Sequence, residues 1–328
     1  MGSAETPVAG ARVVVTGAAG FIGSHLAEAV GARGATVLGV DRRDPSSDAN
    51  AAANLRELLG SSGFTYLRAD LRRAALEPFL EGADVIFHLA ARASVRESWG
   101  DNFEEYATAN LCATQRVMEA AVRLRVPRVV VASSSSVYGR TDGTPSRETG
   151  PVLPASPYAV TKLAAEQLAL AHAMRAGSVT TVIALRYFSV FGPRQRADMF
   201  IHRVLRAALD GQPMRLFGDG SRRRDFTYVS DVVAATVAAG AAPPRSQVLN
   251  VGTGHRTALS EVLAVAADLT GAPVPVVVDR GSDGDVRDTL ADLTAVRAAL
   301  GWEPEVDLAA GMSQQIAQLR KEFVPGAA

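Results

Sequence analysis

The first 185 residues alternate short β-branched runs with longer Ala- and Leu-rich stretches, and that rhythm constrains the fold more than anything else in the chain. The runs at 12–16, 36–40, 64–69, 85–88, 128–132 and 179–185 read as strands, and the stretches at 21–33, 102–124 and 157–175 as helices. Strands alternating with helices build βαβ units, and strands this apolar belong to a parallel sheet covered on both faces. The expectation is an α/β fold with a doubly wound parallel sheet. After residue 186 the rhythm breaks. Loops carrying Gly, Pro and Arg occur at 192–196 and 217–224, and shorter helices at 230–240, 259–270 and 308–321. This predicts a second, smaller α+β region closing over the first, with 248–251 returning as a further sheet strand.

At 328 residues the chain has room for about two domains and a large core. Its 48% apolar and 21% charged residues describe an ordinary globular protein. A formal net charge of zero argues against a general binder of nucleic acid or acidic membrane. The single cysteine, Cys112, excludes an intrachain disulfide and a cysteine-cluster metal site. Residues 1–12 lack the apolar core of a signal peptide, and the longest apolar stretch, 232–242, is too short to span a bilayer. A cytoplasmic protein is expected. His25, His88, His172, His202 and His255 are scattered, and each is expected to be structural, with no metal role.

Gly17-Ala-Ala-Gly20-Phe-Ile-Gly23 follows the first strand and opens a helix, the context a dinucleotide-binding fingerprint requires. The glycines permit a tight turn and close backbone approach, and the helix N-terminus offers N–H groups to a pyrophosphate. Asp41 ends the second strand, where a carboxylate can bind ribose hydroxyls. A 2′-phosphate would be repelled there, so NAD is expected over NADP, although Arg42 and Arg43 could greet a phosphate. Asp70 and Leu71, after the third strand, are candidate adenine contacts.

Lys162 is one of only two lysines among 34 basic Lys and Arg residues, and it stands four residues after Tyr158. That spacing puts both on one helix face. A compact ammonium beside a phenol favours the phenolate, so Tyr158 is expected to titrate below its usual value of about 10 and to do acid–base work. Ser133-Ser134-Ser135-Ser136 follows the fifth strand, at the sheet edge where open α/β sheets bind ligands.

These segments, with His88-Leu-Ala-Ala91 and Val137-Tyr138-Gly139, resemble the extended short-chain dehydrogenase/reductase family, and more narrowly its NAD-dependent nucleotide-sugar epimerases and dehydratases. The resemblance extends through Arg186-Tyr-Phe-Ser189-Val-Phe-Gly-Pro193, Gly218-Asp-Gly-Ser221, Arg224-Asp-Phe-Thr-Tyr-Val229 and Asn250-Val-Gly252. It implies a Rossmann-type NAD-binding domain at 1–185, with 229–254 returning to it, and a nucleotide-sugar-binding domain at 186–328. It implies Tyr158 as base, Lys162 on the nicotinamide ribose and Ser134 on the sugar 4-hydroxyl. The cofactor set becomes Gly17, Gly20, Phe21, Ile22, Gly23, Asp41, Asp70, Leu71, Leu89, Ala90 and Ala91, with Tyr158 and Lys162. It implies Phe217 near uracil, Arg224 and Arg287 near the UDP phosphates, and Ser94 in the substrate site. Relatives of this kind pair their 102–124 and 157–175 helices across a homodimer, which is expected here.

Dehydratases of this family keep an Asp-Glu pair after the catalytic hydroxyl residue, and the UDP-glucuronate decarboxylases a Glu at the second position. This chain has Ser135 and Ser136 there. Neither can act as a carboxylic acid at C5 or C6, which leaves 4-epimerisation. Gly192-Pro-Arg194-Gln-Arg196-Ala-Asp198-Met199 resembles a stretch of UDP-glucuronate 4-epimerases, departing at Ala197, where Pro is usual. An Arg fork suits a carboxylate, so Arg194 or Arg196 is expected to meet that of UDP-glucuronate, with Ser135, Ser136 and Ser189 adding donors. The alternatives are a UDP-galactose or UDP-N-acetylgalactosamine 4-epimerase, and a non-catalytic NAD-binding sensor, which would have no need of Tyr158, Lys162 and the serine run.

Overall fold

The computed structural model describes residues 8–279 and 286–323. Strands β1 (Arg12–Thr16), β2 (Thr36–Asp41), β3 (Phe64–Arg68), β4 (Val85–His88), β5 (Arg128–Ser134) and β6 (Thr181–Tyr187) share one sheet with strand Gln247–Val251. The order across the sheet is Gln247–Val251, β6, β5, β4, β1, β2, β3, and every neighbouring pair is parallel. The register follows the valine runs. Val13, Val14 and Val15 lie opposite Val37, Leu38 and Gly39 on one side and Val85, Ile86 and Phe87 on the other. Successive residues feed opposite faces: Val13 and Val15 join Leu26, Val30 and Val232, while Val14 joins Ile86, Val117 and Met118. Both faces are covered, so the strands need no polar side, which is why they read as unbroken apolar runs.

β2 and β3 extend the sheet to one side of β1, and β4 opens the other. The winding reverses between β1 and β4, and ligands of such sheets bind in the crevice beyond the carboxyl ends at this point. The segments after β1, β4 and β5 therefore supply the site. Strand β6 runs two residues beyond the expected 185, because its pairing with Gln247–Val251 continues through Tyr187. Three two-stranded pairs build the second region: Ser189–Phe191 with Phe226–Tyr228, Arg223–Arg224 with Thr257–Ala258, and Met214–Phe217 with Val276–Asp279. Helices Ala49–Leu55, Phe200–Asp210 and Thr294–Leu300 were not expected from the sequence.

The expected helix at 102–124 is interrupted. Phe103–Tyr106 leads into a π-helical segment, Ala107–Cys112, before regular helix resumes at Ala113–Arg123. A widened turn of this kind frees backbone geometry and is frequent at functional sites. Here it presents Asn110, whose amide bonds the N–H and C=O of Arg92 at 2.7 and 3.0 Å and the Thr161 hydroxyl at 2.9 Å.

Helix Pro157–Ala173 starts where its sequence says it must. Ser156 accepts from the Ala159 N–H as N-cap, and Pro157 fills the first turn, where no N–H partner is needed. Tyr158, Lys162 and Glu166 recur every four residues on one face. Glu166 is fully buried and takes both arms of Arg186 on β6 at 2.6 and 2.9 Å, plus the Ser133 hydroxyl on β5 at 2.6 Å. Among the described residues no helix is long and apolar enough to cross a membrane. Glu166→Ala would leave the Arg186 guanidinium buried and unpaired, and should cost about 3–5 kcal/mol, read as a lowered urea midpoint.

Candidate active site

The loop after β1 is closed by its own backbone. Gly17 N–H donates to the Val40 carbonyl at 2.8 Å, and Gly20 N–H to Gly17 at 2.9 Å. Gly17 has φ +73°, and a Cβ there would meet the Leu89–Ala90 backbone at about 2.9–3.0 Å. A Cβ on Gly23 would sit 2.1 Å from the Gly17 carbonyl. Only glycine lets helix Phe21–Gly31 begin this close to the strand end. The Asp41 carboxylate accepts from the Ala19 N–H at 3.2 Å, so it stands at the loop as the dinucleotide reading requires. Arg43 lies along it at 3.1 and 3.3 Å, while Arg42 pairs with Glu105 at 3.3 Å. A cradle that any Cβ would fill, with an acid beside it, fits NAD. Asp70 is gripped by Arg72 at 2.7–3.1 Å, which pulls its carboxyl down to about 2. Leu71 is buried beside it.

Tyr158, Lys162 and Ser134 meet at the ends of β4 and β5. The Ser134 hydroxyl hydrogen-bonds Tyr158 and accepts from the Ser136 hydroxyl at 2.9 Å and its N–H at 3.2 Å. Ser135 and Ser136 form the 3-10 turn that follows. The Lys162 ammonium is buried and donates to the Ala132 carbonyl, and burial brings its pKa down to about 8. The expected lowering of Tyr158 is not what this environment produces. Desolvation dominates and raises the phenol, while Ser134 and the Arg196 charge oppose it and Tyr106 adds to it. Lys162 is not among the groups that act on the phenol; its ammonium donates to the Ala132 carbonyl. His88, which opens the Leu89, Ala90, Ala91 segment, bonds Thr16 at 2.8 Å and Thr114 at 3.0 Å, and burial followed by the Lys162 charge takes it to about 3. It is a structural histidine.

On the second region, the Arg196 guanidinium reaches Tyr158 electrostatically, and Asp198 holds its two arms at 2.6 and 2.9 Å. Arg194 goes elsewhere, to Glu28 at 2.6 Å and Ser24 at 3.2 Å on the first helix. Of the two arginines, Arg196 is the one whose charge acts on the phenol. Ser189 begins its short strand, bonding the Asp225 carbonyl through its N–H. The Phe217 ring lies 3.9 Å beneath the Arg96 guanidinium, two residues on from Ser94, whose φ of +150° lies in the region that favours glycine. Arg224 donates to the Val286 and Arg287 carbonyls at 2.6 and 3.0 Å. Arg287 also lines an open groove of about 530 Å³ with Arg140, Gly218, Ser221 and Arg222. Between them, Asp225 takes four donors from Thr253, Gly254 and Ala291, a buried knot whose carboxyl is pushed up by desolvation.

Sequence reasoning missed Asn110, Glu166 and Tyr106. Tyr106 is fully buried edge-on to Tyr158, ring centroids 6.3 Å apart. Two of the three carried a signal: Asn110 and Glu166 are polar residues inside apolar helical stretches, which a burial argument must provide with partners. Among the described residues no group of three or more His, Cys, Asp or Glu is placed to hold a metal ion.

The sequence model of the NAD dependent epimerase/dehydratase family matches residues 13–252. A UDP-glucose 4-epimerase of Mycolicibacterium smegmatis is 39% identical over 95% of this chain and 99% of its own. The solved structure of MoeE5 with UDP-glucuronic acid and NAD is 45% identical, with a TM-score of 0.88 over 95% of this chain and 99% of its own. A UDP-glucuronic acid 4-epimerase from Bacillus cereus, solved with UDP-glucuronic acid and NAD, is 33% identical, with a TM-score of 0.89 over the same shares.

Gly23→Ala should force the loop open and weaken NAD binding by about 10- to 100-fold, the equivalent of an overpacking cost, as read by cofactor titration. For His88, the folded chain resists protonation while the unfolded chain accepts it below its ordinary pKa of 6.5. Stability should therefore fall as pH drops from about 6.5 toward 3. His88→Gln should flatten the urea midpoint across that window.

Proposed function

Because the chain belongs to the NAD dependent epimerase/dehydratase family, we propose that it interconverts UDP-glucuronate and UDP-galacturonate, inverting C4 through a transient 4-keto sugar. The observation that carries this reading is the Arg196 guanidinium within electrostatic reach of the Tyr158 hydroxyl. A planar fork at that place suits the carboxylate of a uronate. Asp198 lies in the fork, but the side chains are 41% and 49% exposed, and such a pair is worth at most about 1 kcal/mol. A substrate carboxylate can take its place at little cost.

Each group then has a task. Tyr158 takes the proton of the 4-hydroxyl, with Ser134 bonded to the same oxygen. Lys162 would hold the nicotinamide ribose. The Gly17–Gly23 loop and Asp41 would hold NAD, which would supply reversible hydride acceptance from C4, and the ketone would take the hydride back on its opposite face. Ser135 and Ser136 offer no carboxylate, so acid–base work at C5 or C6 has no agent. A uronate oxidised at C4 is a β-keto acid, which loses carbon dioxide when its C5–carboxylate bond aligns with the carbonyl π system. Arg196 and the serine donors hold the carboxylate out of that alignment. Phe217, Arg224 and Arg287 take the uridine diphosphate. Phe103 and Val160, exposed at 42% and 47%, support pairing of two copies through the 102–124 segment and helix Pro157–Ala173. A second reading, UDP-glucose and UDP-galactose interconversion, is supported by the Mycolicibacterium relative and by MoeE5, also solved with UDP-glucose and NAD.

Separate incubations with UDP-glucuronate and UDP-glucose, products resolved by sugar identity, decide between the two. Arg196→Ala should raise KM for UDP-glucuronate about 10- to 100-fold, leave UDP-glucose binding unchanged and release 4-keto-pentose. Wild-type turnover of UDP-glucuronate by that variant would remove the carboxylate assignment. Tyr158→Phe should lower kcat by at least about 100-fold while binding persists.

A further inference from the structure

We propose that Arg194 is a positioning residue, fastening the loop that carries Arg196 to the dinucleotide-binding helix Phe21–Gly31. The inference rests on the reading of Arg196 as the carboxylate ligand. Arg194 stands at φ +65°, a left-handed conformation that costs a non-glycine residue energy and persists only where the surroundings over-determine it. The surroundings do so here. Its N–H donates to Gln318 on the C-terminal helix at 2.8 Å, and its guanidinium to Glu28 and Ser24 at 2.6 and 3.2 Å. The side chain is only 16% exposed.

The neighbours of Arg194 are tied as well. The Pro193 carbonyl bonds His25 at 2.9 Å. Gln195 is buried, donates to the Val190 carbonyl at 3.0 Å, and accepts from the His202 N–H and the Gln315 amide, each at 3.0 Å. Three consecutive residues are thus pinned to the first helix, to the C-terminal helix and to their own loop, and Arg196 is the next residue. Ser24, His25 and Glu28 lie on one face of the helix whose first turn closes the glycine loop. The sugar-facing arginine is therefore referenced to the same element that seats the cofactor. A side chain displaced by about 1 Å loses much of what a directed fork can do.

Arg194→Gly tests this without a folding penalty from backbone strain, since glycine adopts φ +65° freely. Glu28→Ala removes the other half of the contact. Both should raise KM for UDP-glucuronate about tenfold with kcat and the UDP-glucose KM unchanged, and both should speed amide hydrogen exchange at 193–199. Combined with Arg196→Ala, neither should add to the loss that Arg196→Ala causes alone. Unchanged exchange, or losses that add in the double variant, would overturn the role. If exchange quickens in both variants while Arg196→Ala keeps a wild-type KM, the fastening stands and the carboxylate reading of Arg196 is what fails.

Discussion

The Glu166–Arg186 pair is the contact on which the geometry of the site depends. Two charges are taken wholly out of water, and Ser133 supplies a third partner to the carboxylate. Arg186 also lies over the Tyr138 ring, 4.8 Å from its centroid, and the Tyr138 hydroxyl donates to Asn250 at 2.6 Å. One buried network thereby joins the helix to β5, β6 and strand Gln247–Val251. Apolar residues of similar volume could stabilise the same space as well or better. The directed bonds to Arg186 and Ser133 add a fixed rotation of the helix about its own axis. Lys162 and Tyr158, one and two turns before Glu166, take their places from that registry.

Registry then sets the electrostatics. The helix presents Lys162 to a fully buried position against the Ala132 carbonyl, and its affinity for a proton drops accordingly. The same crowding raises Tyr158. Positive charge brought close to the phenol works against desolvation, and Arg196 does that from another part of the chain. The acid–base poise of the tyrosine is thus shared between the carboxyl end of β5 and the loop after strand Ser189–Phe191, not set by its neighbour on the helix alone.

Much of this was legible in the sequence, and the reason is local. Strand rhythm, the glycine spacing and the four-residue step from Tyr158 to Lys162 are short-range patterns, and each appears in the structure where the pattern put it. The rest depends on contacts between distant segments. Nothing near Tyr158 announces that distant segments will desolvate its hydroxyl, so the four-residue step to Lys162 points the Tyr158 shift the wrong way. Nothing in Gly-Pro-Arg-Gln-Arg separates an arginine bound for the first helix from one bound for the phenol, because Glu28 is 166 residues away. The π-helical segment escaped for the same reason: Asn110 within it bonds Arg92 and Thr161, and sequence period alone cannot show a widened turn.

A tyrosine–lysine pair of this kind can act on any carbinol, so discrimination must come from groups that meet the rest of the sugar. UDP-glucose and UDP-glucuronate differ only in the oxidation of C6, and the difference a protein can sense there is a charge. On the proposed reading, the chain already carries its own reference for that charge in Asp198. A neutral sugar leaves the Arg196–Asp198 pair intact, whereas a uronate competes with Asp198 for the same fork. Because the pair is exposed, the exchange of one carboxylate for another is close to balanced, and the advantage of the uronate comes from how well the fork is aimed. Aim is a property of the backbone beneath Arg196, which is why the fastening of residues 193–195 matters to specificity as much as the guanidinium itself.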